Sequence, residues 1–413
     1  VDGQPYSVAA TYDSLHRLTE EAITAGASIL ATKHHAYDPV GDRLSLEVDA
    51  PTTPGVDLRV DSAYDSLGRV ASSTFGGRTT TFEYESGCGG GCGGGGLLTG
   101  IVRPNQTTTR LTYDLAGRLT KLRNARQPSD AALSYFSYTY DNMGNRQTMR
   151  DIMGLHQYSY DKLYRLTKVD YPTYPDQLYG YDPAGNRLSE TNTGQVVRSY
   201  TYESTNALKK VTQGSTEATY SFDDAGNLLS RVVTAGIVPL SQATYTFDGA
   251  NRLTKAVISG TEIDYFYDPD GQRVKQKLGG TETWFVFDGL STVMELGTDR
   301  KPTTVLVPGL SKTRLDLPEP FTEWYLNDGL GSVSQITDFL GNLTQEYSYD
   351  VFGATKNATH DPFNRYRFVG LAADDLTGLT YMNARWYDPG IGRFVSRDLV
   401  NGSLLNPGTL NQY

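Results

Sequence analysis

A tyrosine–aspartate pair followed by a turn residue recurs along most of this chain, and a repeat of this kind constrains the whole fold at once. The pair stands at Tyr12-Asp13, Tyr37-Asp38, Tyr64-Asp65 (with Gly68), Tyr113-Asp114 (with Gly117), Tyr140-Asp141 (with Gly144), Tyr160-Asp161, Tyr181-Asp182 (with Gly185) and Tyr267-Asp268 (with Gly271). Phe222 and Phe247 replace the tyrosine in two further copies, and weaker copies sit at Tyr84, Tyr202 and Phe287. The copies lie about 20 to 29 residues apart, the range of solenoids and other arrays. A unit of that size cannot bury an apolar face alone, so neighbouring units must cover one another.

The residues of one unit describe a hairpin. In Ser134–Tyr140, aromatic residues alternate with small polar ones up to the Tyr-Asp pair, the period of two expected of a half-buried strand. Tyr265–Asp268 and Trp284–Asp288 read the same way. The Asp side chain can accept backbone N–H groups further on and close an Asx-type turn. The fourth residue after the aromatic is Gly in most copies and His16, Asn206 or Asn251 in others. These types tolerate positive φ best, so the slot is expected in the left-handed region. Tyr164 occupies the same slot and predicts a strained or altered turn. Arg-Leu or Asn-Arg-Leu then opens a second strand, as in Arg118–Leu122. Leu15–Ala31 comes nearest to a helical pattern, yet the repeat register runs through it and predicts strands. Hairpins stacked edge to edge predict one long twisted sheet with the tyrosines in a column on one face.

Composition narrows the class. The 29 Tyr and 43 Gly suit short strands and tight turns rather than a helical core. With a net charge of −10 and no Lys/Arg cluster, nucleic acid and anionic membranes are not expected partners. No apolar run approaches the roughly 18 residues of a membrane span. The opening Val1–Tyr6 has neither the basic nor the apolar part of a signal peptide and reads as mid-protein sequence.

These features resemble the Rhs/YD-repeat family, which takes in bacterial Rhs proteins, the C component of Tc insecticidal toxins, WapA-like wall proteins and animal teneurins. The C-terminal part carries the more specific match. Tyr325–Val333, Tyr349–Gly353 and Arg367–Gly370 resemble successive blocks of the Rhs core domain, and Asp375–Asp398 resembles its hallmark segment. The resemblance implies an all-β spiral sheet shell, a hollow cocoon closed by the core domain. In bacterial members the shell sequesters a C-terminal toxin or effector. In many, the core is also an aspartyl autoprotease that uses two carboxylates, one protonated and one ionised. Asp398 matches the first of these, with Arg393 in the same block. The second lies roughly 20 residues further on in the family, past Tyr413. The alternative for Asp398 and Arg393 is a structural one, a charge-assisted tie that holds the core segment down.

Other candidates are weaker. Gly87–Gly96 contains Cys88 and Cys92, which leaves open a local disulfide, two free thiols or half of a metal site. A zinc site needs four ligands and there is no second Cys pair. The glycine string lacks the Gly-Lys-Ser/Thr ending of a phosphate loop. His34 and His35, as strand neighbours, point to opposite faces. The sequons at Asn105 and Asn357 read as incidental.

The expected organisation is a repeat array over 1–294, an irregular proline-containing link over 295–323 and a core domain over 324–413. The expected function is a structural shell of a secreted or surface protein that contains or presents another polypeptide, with upstream repeats completing the cavity. Expected partners are therefore the C-terminal effector or further repeats of the same polypeptide, and no cofactor is expected. Aspartyl autoproteolysis in a longer parent, or a surface adhesin that binds glycans or proteins, are the two rival readings.

Overall fold

The computed structural model describes residues 6–51, 57–85, 96–192, 195–317, 320–358, 364–398 and 413. Among these the chain is built from strands, with one short 3-10 turn at Phe368–Gly370 and no α-helix. No helix is long and apolar enough to cross a membrane. Consecutive strands pair antiparallel, as Tyr6–Tyr12 does with Leu18–Ala25 and Leu18–Ala25 with Ser28–Tyr37. The stretch nearest to helical periodicity is therefore two strands.

Each Tyr-Asp hairpin carries the same irregularity. Thr11 faces Glu20, yet Tyr12 faces Leu18, so one residue of the second strand is skipped just before the turn. The same shift precedes Tyr64, Tyr140, Tyr160, Tyr181 and Tyr202. This is a β-bulge, which adds local twist at every repeat.

The chain forms two compact units. One comprises 1–134, 265–348 and 355–370; the other comprises 135–264, 349–354 and 371–413. In the first unit, Ile23, Leu30, Leu46, Val48 and Leu58 pack against Trp284, Val286, Met294, Leu296 and Val305 in a single buried cluster. Two stretches of sheet thus cover each other's apolar faces, which neither could do alone. A buried ion pair lies in the same unit. Lys312 Nζ is 3.1 Å from Glu323 Oε2, with side chains 2% and 7% exposed, and the two residues are directly opposite in register. Segment 364–370 is fastened to this sheet by Tyr366 Oη donating to Glu295 Oε1 (2.9 Å), by Val333 N donating to Arg367 O (2.9 Å) and by Asn364 contacting both Tyr325 and Tyr347.

The stretch expected as an irregular link is corrected by the structure. Pro302–Val307 and Ser311–Arg314 are strands, paired with each other and with Ser291–Leu296 and Phe321–Asn327. Pro302 is tolerated because it opens its strand, where a missing N–H costs least.

In the second unit the repeat sheet carries a cluster of Tyr200, Leu208 and Val211, against which Tyr202, Tyr220, Phe222 and Ile391 pack. Four short strands, Ala372–Ala373, Thr380–Met382, Arg385–Asp388 and Arg393–Phe394, form a separate small sheet in this unit.

Candidate functional site

The repeat turn is built around the aspartate. Asp13 Oδ1 accepts the N–H of Leu15 (2.8 Å) and of Arg17 (2.9 Å), and Oδ2 accepts Arg17 Nε (2.7 Å). His16 N donates to Asp13 O, and Asp13 N to Arg17 O. The N–H and guanidinium of Arg17 hold the Asp13 carboxyl below the usual range. Asp65, Asp114, Asp161 and Asp248 repeat the arrangement with Arg69, Arg118, Arg165 and Arg252. Asn145 and Asn186 replace the arginine at Asp141 and Asp182. At Asp268, Gln272 N donates to Oδ1 (2.8 Å). In the glycine-bearing turns the fourth slot is left-handed: φ is +73° at Gly68, +76° at Gly117, +91° at Gly144, +88° at Gly185 and +90° at Gly271.

Tyr164 adopts the same conformation at φ +61° and keeps the full turn, with Arg165 Nε 2.7 Å from Asp161 Oδ2. The turn is unaltered, and the strain sits in one residue. Its side chain is 54% exposed, so little packing is at stake. Tyr164→Gly is expected to raise stability by about 1 kcal/mol by removing the left-handed penalty. An unchanged or lower urea midpoint would show that the strain is absorbed elsewhere.

The tyrosines couple one repeat to the one before it. In the first unit, Tyr64 Oη donates to Arg43 O (3.0 Å), Tyr84 to Val70 O (2.8 Å) and Tyr113 to Leu98 O (2.8 Å). In the second, Tyr160 donates to Arg146 O, Tyr181 to Leu166 O and Tyr202 to Arg187 O, at 2.8 to 2.9 Å. The arginine of the preceding turn lies over the ring: Arg17 over Tyr37, Arg69 over Tyr84, Arg165 over Tyr181, at 5.0, 4.4 and 4.8 Å. Arg17 and Arg165 also donate to the carbonyl oxygens of the next turn's Asp38 and Asp182. Burial pushes the Tyr181 phenol up to about 12, so it stays a donor at physiological pH. The aromatic position therefore carries a hydrogen bond and a cation–π contact besides its packing.

The small sheet of the second unit docks on the repeats through Arg393. This residue is 8% exposed. Its Nη1 donates to Asn186 Oδ1 (3.3 Å) and its Nη2 to Asn206 O (3.0 Å), and the guanidinium faces the rings of Tyr202 and Tyr413. Leu228 N donates to Val395 O, Arg187 Nη2 to Ile391 O and Arg198 Nη1 to Gly390 O. Gly392, at φ +67°, lets the chain pass against Phe352, where a Cβ would come within 2.9 Å of the ring. Asp398 lies beyond the last strand, with Oδ2 accepting Arg385 Nη2 at 2.9 Å; Arg385 in turn covers Phe394 at 3.8 Å. The geometry thus gives Asp398 a cationic partner on a neighbouring strand and gives Arg393 a clamp on two repeat turns.

Asp388 carries little functional signal in the sequence. It is buried, and burial raises its carboxyl above the usual range against the opposing pull of Arg231 and the N–H groups of Gly390 and Ile391. Its only sequence signal is its place in Tyr387-Asp388-Pro389-Gly390, which reads as another turn; Gly390 N donates to Oδ1 (2.9 Å).

Cys88 and Cys92 lie outside the described residues. His34 is 40% exposed between Glu20 (3.4 Å) and Asp49 (3.6 Å), while the His35 side chain is 2% exposed beside Glu21 (3.4 Å). The two rings thus face opposite sides of the strand. Among the described residues, no three His, Cys, Asp or Glu side chains converge as a metal site. Asn105 is 1% exposed, and its amide donates to Thr337 and Asp338.

Comparison with known proteins places the chain. Residues 135–413 match the teneurin YD-shell family, and residues 95–128 match the RHS repeat. The tRNA3(Ser)-specific nuclease WapA of Bacillus spizizenii is 29% identical over 277 residues, 64% of this chain and 10% of the relative. The double-stranded DNA deaminase toxin A of Burkholderia cenocepacia is 26% identical over 406 residues, 94% of this chain and 24% of the relative. Toxin protein Tse5 of Pseudomonas aeruginosa is 26% identical over 342 residues, 73% of this chain and 24% of the relative. The chain spans about a quarter or less of the length of these relatives. With its repeat turns, its docked core segment and a family match over more than half its length, the chain belongs to the Rhs/YD-repeat family as a teneurin YD-shell protein.

Proposed function

We propose that this chain is shell material of a toxin-bearing Rhs/YD-repeat protein, secreted or surface-borne, and that it encloses a C-terminal effector polypeptide. One observation carries the reading. Relatives named for different activities, a tRNA nuclease and a DNA deaminase, share the same repeat segment, and in each it is a minor part of the length. A part common to unlike activities supplies something independent of the chemistry, and containment is such a role. The docking of 390–395 onto the repeats supports it, because the chain is clamped to the sheet before it continues past Asp398. In this reading the Tyr-Asp turns are structural, and Arg393 is a positioning residue.

The parent protein, with a protease-cleavable epitope in its C-terminal region, tests the proposal. Containment predicts that the epitope resists protease and antibody in the native protein and becomes accessible on denaturation. Equal accessibility in both states overturns it. The same preparation reports on Asp398: a defined fragment present in the wild type and lost in Asp398→Asn assigns that carboxylate to autoproteolysis.

A further inference from the structure

The turn that begins at Arg103 departs from the Tyr-Asp turns. Its backbone follows the usual pattern, with Arg103 N donating to Thr107 O and Gln106 N to Arg103 O, and Gln106 holds the left-handed slot at φ +65°. An arginine thus stands where other turns carry the aspartate. The carboxylate role passes to Asn105, whose Oδ1 accepts from Thr107 N and Thr107 Oγ1. The guanidinium itself is left inside the protein, 4% exposed.

Its surroundings are polar and uncharged. Nη1 donates to Thr109 Oγ1 (2.8 Å), which donates onward to Asn124 Oδ1 (2.7 Å); Asn124 Nδ2 donates to Ser134 Oγ (2.9 Å). Thr107, Thr108, Thr109 and Asn124 are all buried. Nε has no hydrogen-bond partner. The buried lysines among the described residues each have a carboxylate: Lys33 has Glu21, Lys275 has Glu282 and Lys312 has Glu323. Arg187 is covered by the rings of Tyr200 and Phe352 and by a carbonyl. Arg103 has neither a carboxylate nor an aromatic face among the described residues, and burial alone lowers its pKa to about 10. A buried charge without a partner costs several kcal/mol, and buried cations are accordingly found paired.

The geometry points to a small inorganic anion of the halide class, held at this turn by the buried Arg103 guanidinium. Nε supplies a charge-assisted donor aimed at no protein acceptor. A halide needs no covalent chemistry here; it supplies a counter-charge to the buried guanidinium.

Thermal unfolding of the whole chain at matched ionic strength, in sodium chloride, sodium bromide and sodium gluconate, tests this. A halide that binds only the folded state stabilises it by mass action, so Tm is expected to rise by on the order of 1–3 °C in chloride or bromide relative to gluconate. Arg103→Met is expected to fold and to lose that difference. Equal wild-type Tm values in all three salts overturn the assignment, as does a halide effect of the same size in Arg103→Met. If Arg103→Met does not fold, bromide-soaked crystals of the wild type decide. An anomalous peak beside the Arg103 guanidinium supports the site, and its absence there overturns it.

Discussion

Glu323→Ala is expected to lower the stability of this chain by about 3–5 kcal/mol, because it removes a carboxylate from beside a buried ammonium. Lys312 and Glu323 face each other across two paired strands, 3.1 Å apart and almost wholly out of water. Removing the carboxylate takes from Lys312 the 3.1 Å attraction of Glu323 while the desolvation cost of its charge remains. The loss exceeds the worth of the pair itself, since replacing both members by apolar residues of similar volume restores packing with no charge to compensate. Lys312→Met combined with Glu323→Leu is therefore expected to lie close to wild type, far above the sum of the single changes. Urea midpoints of the four proteins measure this cycle. A cost below about 1 kcal/mol for Glu323→Ala, or a double variant as weak as the single, would mean that water reaches Lys312 and that the pair is not buried in solution.

Trp386→Ala is the second large effect, at about 3–5 kcal/mol. Trp386 is 2% exposed and packs on Tyr381 at 5.2 Å between ring centroids. Its carbonyl accepts Val395 N at 2.9 Å, and its strand pairs with the one that carries Arg393. Truncation leaves a cavity beneath a sheet of only four short strands, which has few other contacts to close it. The loss should be local. Amides of 380–395 are expected to exchange with solvent much faster, while those of the repeat strands Arg146–Asp151 and Gly154–Tyr160 keep their protection. Uniform acceleration across the second unit would instead make Trp386 part of a core shared with the repeats.

The hairpin and its turn were legible in the sequence because they depend on residue type. Alternation marks the strand, and Gly, Asn or His at the fourth position marks positive φ, as at Gly68 and Asn251. The bulge before each turn was not legible, since one extra residue in the second strand leaves the alternation intact to within its ordinary noise. The phenol bonds were hidden for another reason: their acceptors are main-chain carbonyls, which have no residue-type signature. Proline misled the reading of 295–323, because Pro302 at a strand's first position costs the ladder almost nothing. Arg393 was noticed for its place in a motif. Its partners Asn186 and Asn206 lie 207 and 187 residues away in the chain and belong to turns that look like any others. Asp388 is not legible as a buried carboxylate because its burial comes from the docking of the small sheet and not from its own motif.

The tyrosine bond to the preceding repeat has a consequence for how such a chain can change length. The acceptor is a carbonyl oxygen, present whatever side chain stands at Arg43, Val70, Leu98 or Arg187. One unit thus recognises the unit before it without reading its sequence. Tyrosine-bearing copies can be duplicated, deleted or exchanged while the joint is made by the same kind of atom pair, a phenol oxygen and a main-chain carbonyl. Side chains between the joints are then free to vary with whatever they face.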